Sequence, residues 1–273
     1  MIDIELEKQP NTRDLGGTVT EDGRVVRPHK LLRSGRLTHL TRDDASTLLG
    51  PCRVRTVVDL RSALEAEQNP DPQWGIVEHY HLPMLNDDQL GFSGVSGTDS
   101  REPQGILDTL VDQTLQPGYS AAQYMIDVYQ QLIASKQSQH SLRRFFDVLL
   151  THQDGAVLYH CNGGKDRTGI LTALVLTALG VPWNTVALDY MGTNERVKKN
   201  LERRLHNLPD RHQNPHSHDV VRAMYLADAS YLEAARSEMI KLGGSPKGYL
   251  QTVLGLSDVM LAELQDRYLK KKM

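Results

Sequence analysis

Residues 160–169 read His-Cys-Asn-Gly-Gly-Lys-Asp-Arg-Thr-Gly, so a thiol and a guanidinium stand with five residues between them on a glycine-containing turn. An apolar run, Gly155-Ala-Val-Leu-Tyr159, leads in, and the apolar stretch Ile170 to Leu179 leads out. This pattern predicts a strand, a tight loop and a helix. The backbone N–H groups of such a loop converge at the positive end of a helix dipole, making an anion cradle with Cys161 at its floor. A phosphate dianion is held best by convergent N–H donors and a planar, two-pronged cation. Arg167 supplies that fork, which a lysine could not. The same field favours thiolate over thiol, and a thiolate there is a nucleophile aimed at bound phosphorus.

The neighbouring residues complete the expected site. Asn162, Gly163, Gly164, Lys165, Thr168 and Gly169 form the wall that meets the substrate. Gly163, Gly164 and Gly169 permit a tight backbone path. His160 orders the loop from behind through its ring N–H groups, and the Thr168 hydroxyl can donate to the sulfur when it leaves. The competing reading is a buried structural cysteine beside a surface arginine, since cysteine is usually buried. The conjunction of Cys-x5-Arg, the glycines and two flanking apolar runs argues against it.

His160-Cys161 through Arg167-Thr168-Gly169 resembles the signature of the cysteine-dependent protein tyrosine phosphatases. Gly164-Lys165-Asp166-Arg167-Thr168-Gly169 is similar to the bacterial and fungal branch whose members act on phosphotyrosine and phosphoinositides. Other segments agree: Asn11-Thr-Arg13-Asp14-Leu-Gly16-Gly17, Leu32-Arg33-Ser34-Gly35-Arg36-Leu37, and Val58-Asp59-Leu60-Arg61-Ser62 with Glu65. So do Asp189-Tyr190 with Asn194, and Gly248-Tyr249-Leu250 with Leu254-Gly255-Leu256. The resemblance implies a phosphomonoester hydrolase working through a phospho-cysteine, with no metal and no cofactor. Its substrates would be phosphotyrosine proteins, with phosphoserine/threonine proteins or phosphoinositides as alternatives; the reading without catalysis is a phosphate-binding module, which the presence of both Cys161 and Arg167 disfavours.

Cleaving a phosphoester requires a proton for the leaving oxygen, whose pKa is near 10 for tyrosine and higher for an alkyl group. Familiar tyrosine phosphatases take it from a Trp-Pro-Asp loop. Neither Trp74 nor Trp183 is followed by Pro-Asp. The resemblance implies that Asp166, in a position usually occupied by glycine, is the acid; the alternative is a loop carboxylate paired with Arg36 or Lys165. Asp59 is the next candidate, as carboxylate helper or loop anchor, and Asp87, Asp88 and Asp99 follow. Lys165 would add a second charge for a polyanionic substrate, or else sit solvated at the rim. Arg13 and Asp14 read as structural, with Asp14 paired to Arg33 or Arg61, while Arg61 could serve either structure or substrate.

These groups need a scaffold, and 273 residues suffice for one large core. The composition, 39% hydrophobic and 24% charged, is that of a globular chain. A net charge of −3 offers no bulk attraction to nucleic acid or an anionic membrane. No run is long and apolar enough to span a membrane, and the acidic start Met1-Ile-Asp-Ile-Glu lacks a signal-peptide pattern. The expectation is a soluble, cytoplasmic protein, or one exported without a recognisable leader. Two cysteines make no disulfide framework; Cys52 is either a structural thiol or a resolving partner for oxidised Cys161.

Helix signals at Thr41–Leu49 and Ser62–Gln68 alternate with strand signals at Val54–Leu60 and Val77–Leu82. Helical periods follow over Pro117–Ser135 and Ser141–Leu150. The Gly-, Ser- and Asp-rich stretch from Asn86 to Arg101 is expected to be a mobile loop. Beyond residue 182 the pattern is entirely helical: one or two helices over Pro182–Leu205, one long helix over His218–Leu242 stopped by Gly243-Gly244, then two short ones. Lys198, Lys199, Arg203 and Arg204 read as a solvated basic face, and His206, His212, His216 and His218 as a solvated loop in which Pro215 opposes a helix. The fold class is therefore α/β, a phosphatase-like central sheet flanked by helices with a largely helical C-terminal half. Residues 1–273 form a single domain, with a sheet-containing core over 11–181 and a helical extension over 182–273.

Overall fold

The computed structural model describes residues 1–86, 104–115 and 119–271. Chain order runs β1 (Ile2–Asp3), β2 (Arg13–Asp14), β3 (Val25–Val26), β4 (Leu31–Ser34), α1 (Arg42–Leu49), β5 (Val54–Asp59), α2 (Ala63–Gln68) and β6 (Glu78–His81). Next come α3 (Gln104–Thr114), α4 (Ala121–Ala134), α5 (Lys136–Thr151), β7 (Ala156–His160) and α6 (Asp166–Ala178). The helical portion holds α7 (Trp183–Met191), α8 (Thr193–His206), α9 (Pro215–Tyr225), α10 (Ala229–Gly243), α11 (Pro246–Gly248) and α12 (Asp258–Tyr268), before β8 (Leu269–Lys270).

Six strands form one sheet in the order β1-β2-β4-β7-β5-β6. The strands β4, β7, β5 and β6 run parallel, and β1 and β2 extend the edge antiparallel. Parallel strands must be covered on both faces, which is why β7 is apolar up to its last residue, His160, and wholly buried. Its side chains still alternate: Val157 and Tyr159 enter the large core under the C-terminal helices, while Ala156 and Leu158 enter a smaller core with Leu48 and Leu6. The large core is continuous from Leu15 to Leu269.

Local signals set several boundaries. Thr41 and Ser62 each cap a helix through a full capping box, with Asp44 and Glu65 as the reciprocal carboxylates. Gly244 ends α10 in the left-handed region, at φ 77°. Elsewhere the structure corrects the sequence-based expectation. The span His218–Leu242 is two helices, broken at Leu226–Asp228, where Asp228 caps α10. Pro215 does not oppose a helix; it opens α9 at the position where its missing N–H is harmless, with Asn214 as cap. The C-terminal part is not purely helical either, because β8 pairs antiparallel with β3. The expected mobile loop lies outside the described residues apart from Asn86. Among the described residues no helix is long and apolar enough to cross a membrane.

The register positions the site. Ser34 of β4 and Asp59 of β5 both lie opposite His160, the last residue of β7. Three parallel strands thus release their chains at the same edge, and Gly35-Arg36, Leu60-Arg61 and Cys161 emerge side by side there.

Candidate active site

Cys161 follows β7 and Asp166 begins α6, so the five residues 161–165 make the turn. Gly164 carries the turn through the left-handed region at φ 70°, and a Cβ there would lie 2.7 Å from the Ser34 and Gly35 backbone. Gly169 serves a different purpose from the one expected. It lies within α6, where a Cβ would come 3.0 Å from the Tyr190 ring, so its absence lets α7 pack close.

Outward-facing carbonyls hold the loop. The Asn162 carbonyl accepts from Arg36 N–H (2.9 Å), the Gly163 carbonyl from Asn11 Nδ2 (3.0 Å) and the Gly164 carbonyl from Arg33 Nη2 (2.7 Å). Three consecutive carbonyls turned away leave the peptide N–H groups to turn inward. Behind them stands a buried carboxylate, Asp189 of α7, which accepts from Arg13 Nε (2.7 Å) and from Arg33 Nη1. Arg13 Nη1 in turn donates to Asn11 (2.6 Å). Burial alone would raise the Asp189 carboxyl pKa, but the two guanidinium charges outweigh it and hold it below the usual carboxylate range. Arg13 and Asp14 are held in the fold, but Asp14 pairs with neither Arg33, which binds Asp189, nor Arg61, which binds Asp59 and Asp71. Asp14 accepts instead from the backbone N–H groups of Gly16 and His29.

Arg167 is 1% exposed and its fork meets Glu65, Nη1 to Oε2 at 2.5 Å and Nη2 to Oε1 at 2.9 Å. Glu65 leaves Nε unused, and Nε is a buried donor with no partner among the described residues. Thr168 Oγ1, in the next residue, is likewise buried without a partner. Buried donors are nearly always satisfied, and these two belong to the residues just after the Cys161 turn.

His160 orders the loop from behind, as its position suggested. Nδ1 meets the Cys161 carbonyl (3.1 Å) and Nε2 meets Asp71 Oδ2 (2.7 Å). Both partners are acceptors, an arrangement that favours the charged ring. Burial opposes that charge, yet Asp71 and Asp59 overcome it and raise the His160 pKa. Asp59, Asp71 and His160 offer ligand atoms within 4.8 Å of one another. These atoms are already paired with one another and with Arg61, which bridges the two carboxylates with Nη2 at 2.8 Å from each. Asp59 is thus held by Arg61, whose guanidinium is buried between Asp59 and Asp71.

Asp166 accepts from the Tyr129 hydroxyl at Oδ1 (2.7 Å), and the same oxygen lies 3.2 Å from Lys165 Nζ. Of the two partners considered for Asp166, the structure supplies Lys165. Lys165 itself is not at the rim. It is 1% exposed, and its ammonium also donates to the Leu226 (3.0 Å) and Ala223 (3.3 Å) carbonyls at the end of α9. Burial lowers its pKa, opposed by Asp166.

Sequence reasoning did not assign site roles to Glu65, Asp71, Asn11, Arg33, Asp189, Tyr129 or Tyr190. Glu65 carried a signal that was read only locally: it is the reciprocal carboxylate of the α2 capping box, through Ser62 N–H at 2.9 Å, and the partner of Arg167 as well.

Comparison with known proteins settles the affiliation. The model of the tyrosine phosphatase family matches residues 4–270. The chain belongs to that family. One relative, the triple specificity protein phosphatase PtpB of Mycobacterium tuberculosis, is 31% identical over 90% of this chain and 92% of its own length. A tyrosine-protein phosphatase of Nostoc commune is 29% identical over 85% of this chain and 71% of its own. The solved structure of PTPMT1 in complex with PI(5)P aligns with 76% of this chain and 92% of its own at 13% identity and a TM-score of 0.27, a likeness too weak to inform the fold. The chain is thus a tyrosine-phosphatase-family enzyme with a mixed α/β architecture.

Two further expectations change. Cys52 precedes β5 and Cys161 follows β7, and these strands pair in parallel from Val54↔Ala156 to Asp59↔His160. The thiols therefore sit a strand length apart, about 15–20 Å at roughly 3.3 Å per residue, whereas a disulfide needs Cα atoms within about 7 Å. They also belong to different cores. Burial pushes the Cys52 thiol pKa up, as for an inert structural residue. The expected solvated histidine loop is in part a clamp. His212 is buried between Asp108 of α3 (2.6 Å) and Ser217 (3.1 Å), and His216 meets Thr114 of α3 (3.1 Å).

Proposed function

We propose that this chain hydrolyses phosphomonoesters of tyrosine residues in proteins through a phospho-cysteine, with Cys161, Arg167 and Asp166 as its catalytic residues. The observation that carries the proposal is the pair of unpartnered buried donors, Arg167 Nε and Thr168 Oγ1, beside the Cys161 thiol. The inward N–H groups of residues 163–165 and the Arg167 edge hold the phosphoryl oxygens. Cys161 Sγ attacks phosphorus, the bond to the leaving oxygen breaks, and Asp166 gives that oxygen its proton. Water then attacks phosphorus, loses a proton to the Asp166 carboxylate and expels the Cys161 thiolate, which accepts the Thr168 hydroxyl hydrogen. The products are the free hydroxyl and inorganic phosphate. Charge gathering on the equatorial oxygens is met by groups already in place, which is how such a cradle lowers the barrier.

The reading takes residues 1–273 as one phosphatase domain. Asp189 and Tyr190 of the 182–273 extension hold the groups of the 11–181 core, so the extension belongs to the site. Lys165 was the residue expected to meet a polyanionic headgroup, and its ammonium faces Asp166 and α9 instead. Phosphotyrosine proteins are therefore placed ahead of phosphoinositides. A relative described as a triple specificity phosphatase is the reason to compare phosphotyrosine peptides, phosphoserine peptides and phosphoinositides side by side. A cytoplasmic setting fits two thiols that cannot pair with each other. The mechanism is tested with Cys161→Ser, which should release no phosphate from an aryl phosphate above background; retained turnover rejects the phospho-cysteine.

A further inference from the structure

We infer that Tyr129 is a positioning residue for the acid, and that the C-terminal helices aim Asp166 through a directed chain of hydrogen bonds. The inference rests on Asp166 being the acid, as proposed above. Tyr129 of α4 is fully buried, and its hydroxyl lies 2.7 Å from Asp166 Oδ1 and 2.7 Å from the Tyr190 hydroxyl. A carboxylate can only accept, so Tyr129 donates its single hydrogen to Asp166. Its oxygen must then accept from Tyr190. The Tyr190 oxygen is met by the Asp228 backbone at the start of α10. Hydrogen direction therefore runs from Asp228 N–H to Tyr190 to Tyr129 to Asp166 Oδ1.

The chain stays neutral. Burial raises the pKa of both phenols well above the ordinary tyrosine value, and the Asp166 carboxylate raises each further. Tyr129 thus orients Asp166 without competing for its proton. Lys165 Nζ meets the same Oδ1. With two donors committed to Oδ1, the transferable proton belongs on Oδ2, and the carboxyl plane is pinned by four helices, α4, α6, α7 and the start of α10. Lys165 is accordingly reassigned from the substrate to the acid. The packing is specific: the Tyr129 ring makes an edge contact with Tyr190 at 6.0 Å and a tilted one with Tyr231 at 5.7 Å.

The test is the dependence of rate on the leaving group. An aryl phosphate with an acidic phenol needs little protonation, whereas an alkyl phosphate needs much, so the ratio of the two rates reports the acid. Asp166→Asn should lower the alkyl rate by roughly 10²-fold more than the aryl rate, within the usual contribution of a positioned acid. Tyr129→Phe should lower the alkyl rate about tenfold more than the aryl rate, a partial loss of the same contribution. Tyr190→Phe should do so by about threefold, because Tyr129 keeps its own donor hydrogen. Inorganic vanadate affinity, read by competition, should stay within about twofold in Tyr129→Phe, since its hydroxyl does not touch the cradle.

If Asp166→Asn changes the ratio and neither tyrosine variant does, the relay is rejected and the acid stands. If Asp166→Asn leaves the ratio unchanged, the acid assignment fails and the relay with it. Equal losses on both substrates, accompanied by weakened vanadate binding, would make Tyr129 a support of the fold alone and reject the inference.

Discussion

The cradle around Cys161 and the corner around Asp166 meet at one turn of chain but are built from different chemistry. The cradle is held by full charges. Asp189 binds Arg13 and Arg33, Glu65 binds Arg167, and Asp71 with Asp59 binds His160 and Arg61. The acid corner is held mainly by neutral phenols, with one lysine that also caps α9. The difference follows from what each region must do. A cradle for a dianion needs a positive field that does not collapse before substrate arrives, and buried counter-carboxylates fix its guanidiniums in place. An acid that must both carry and lose a proton is better aimed by hydroxyls, whose own ionisation is pushed out of range by burial. The dipeptide Asp189-Tyr190 serves both regions: one side chain anchors the cradle arginines and the next aligns the acid.

Breaking the charged half should cost most. Asp189→Ala leaves two buried guanidiniums without their carboxylate and should destabilise the fold by about 3–5 kcal/mol, measured by denaturant unfolding. A loss no larger than that of Tyr190→Phe at the next position would undo the contrast. Next in size, Glu65→Gln replaces a charged, two-pronged partner of Arg167 with a neutral one. The kcat/KM for an aryl phosphate should fall roughly 10- to 100-fold, the equivalent of one charge-assisted bond. Here the aryl-to-alkyl ratio should hold steady, since the acid is untouched, and a selective loss on alkyl substrates would blur the two regions.

The smallest effect is a pH dependence. The folded-state pKa of His160 is raised, with Asp71 and Asp59 overcoming burial. Stability from the His160–Asp71 pair is thus complete below the ordinary histidine value of about 6.5 and is lost as pH rises through the raised value. Unfolding free energy followed from pH 6 to 9 should decline on the alkaline side in the wild type and decline less in Asp71→Asn. Identical slopes would remove the imidazolium from the cradle's charge framework.

Much of this was visible in the chain itself. Cys161, Arg167 and the glycines declare an anion cradle because a strand, a tight turn and a helix are encoded within a few residues of one another. The α/β sheet was legible for a similar reason: strand runs such as Val54–Asp59 alternate with helix starts, here the capping box at Ser62 that follows directly. The break in His218–Leu242 was not, because Leu226-Ala-Asp228 continues a helical pattern and is interrupted only where Asn194 bonds the Ala227 backbone. Lys165 was misplaced for a related reason. A lysine in a polar turn reads as exposed, and only the end of α9, some 60 residues onward, supplies the carbonyls that draw it inside.

What the sequence determined alone was a compact group of a thiol, a guanidinium fork and a turn, since these lie within one loop and local spacing suffices to define them. What only the tertiary structure decided was how those groups are held: Glu65 on Arg167, Asp71 on His160, Asp189 on two arginines, Tyr129 on Asp166. These partners lie from 37 to 176 residues away along the chain. No local spacing reports such pairs, because a buried charge or hydroxyl finds its partner through the packing of sheet on helix rather than through its neighbours in sequence.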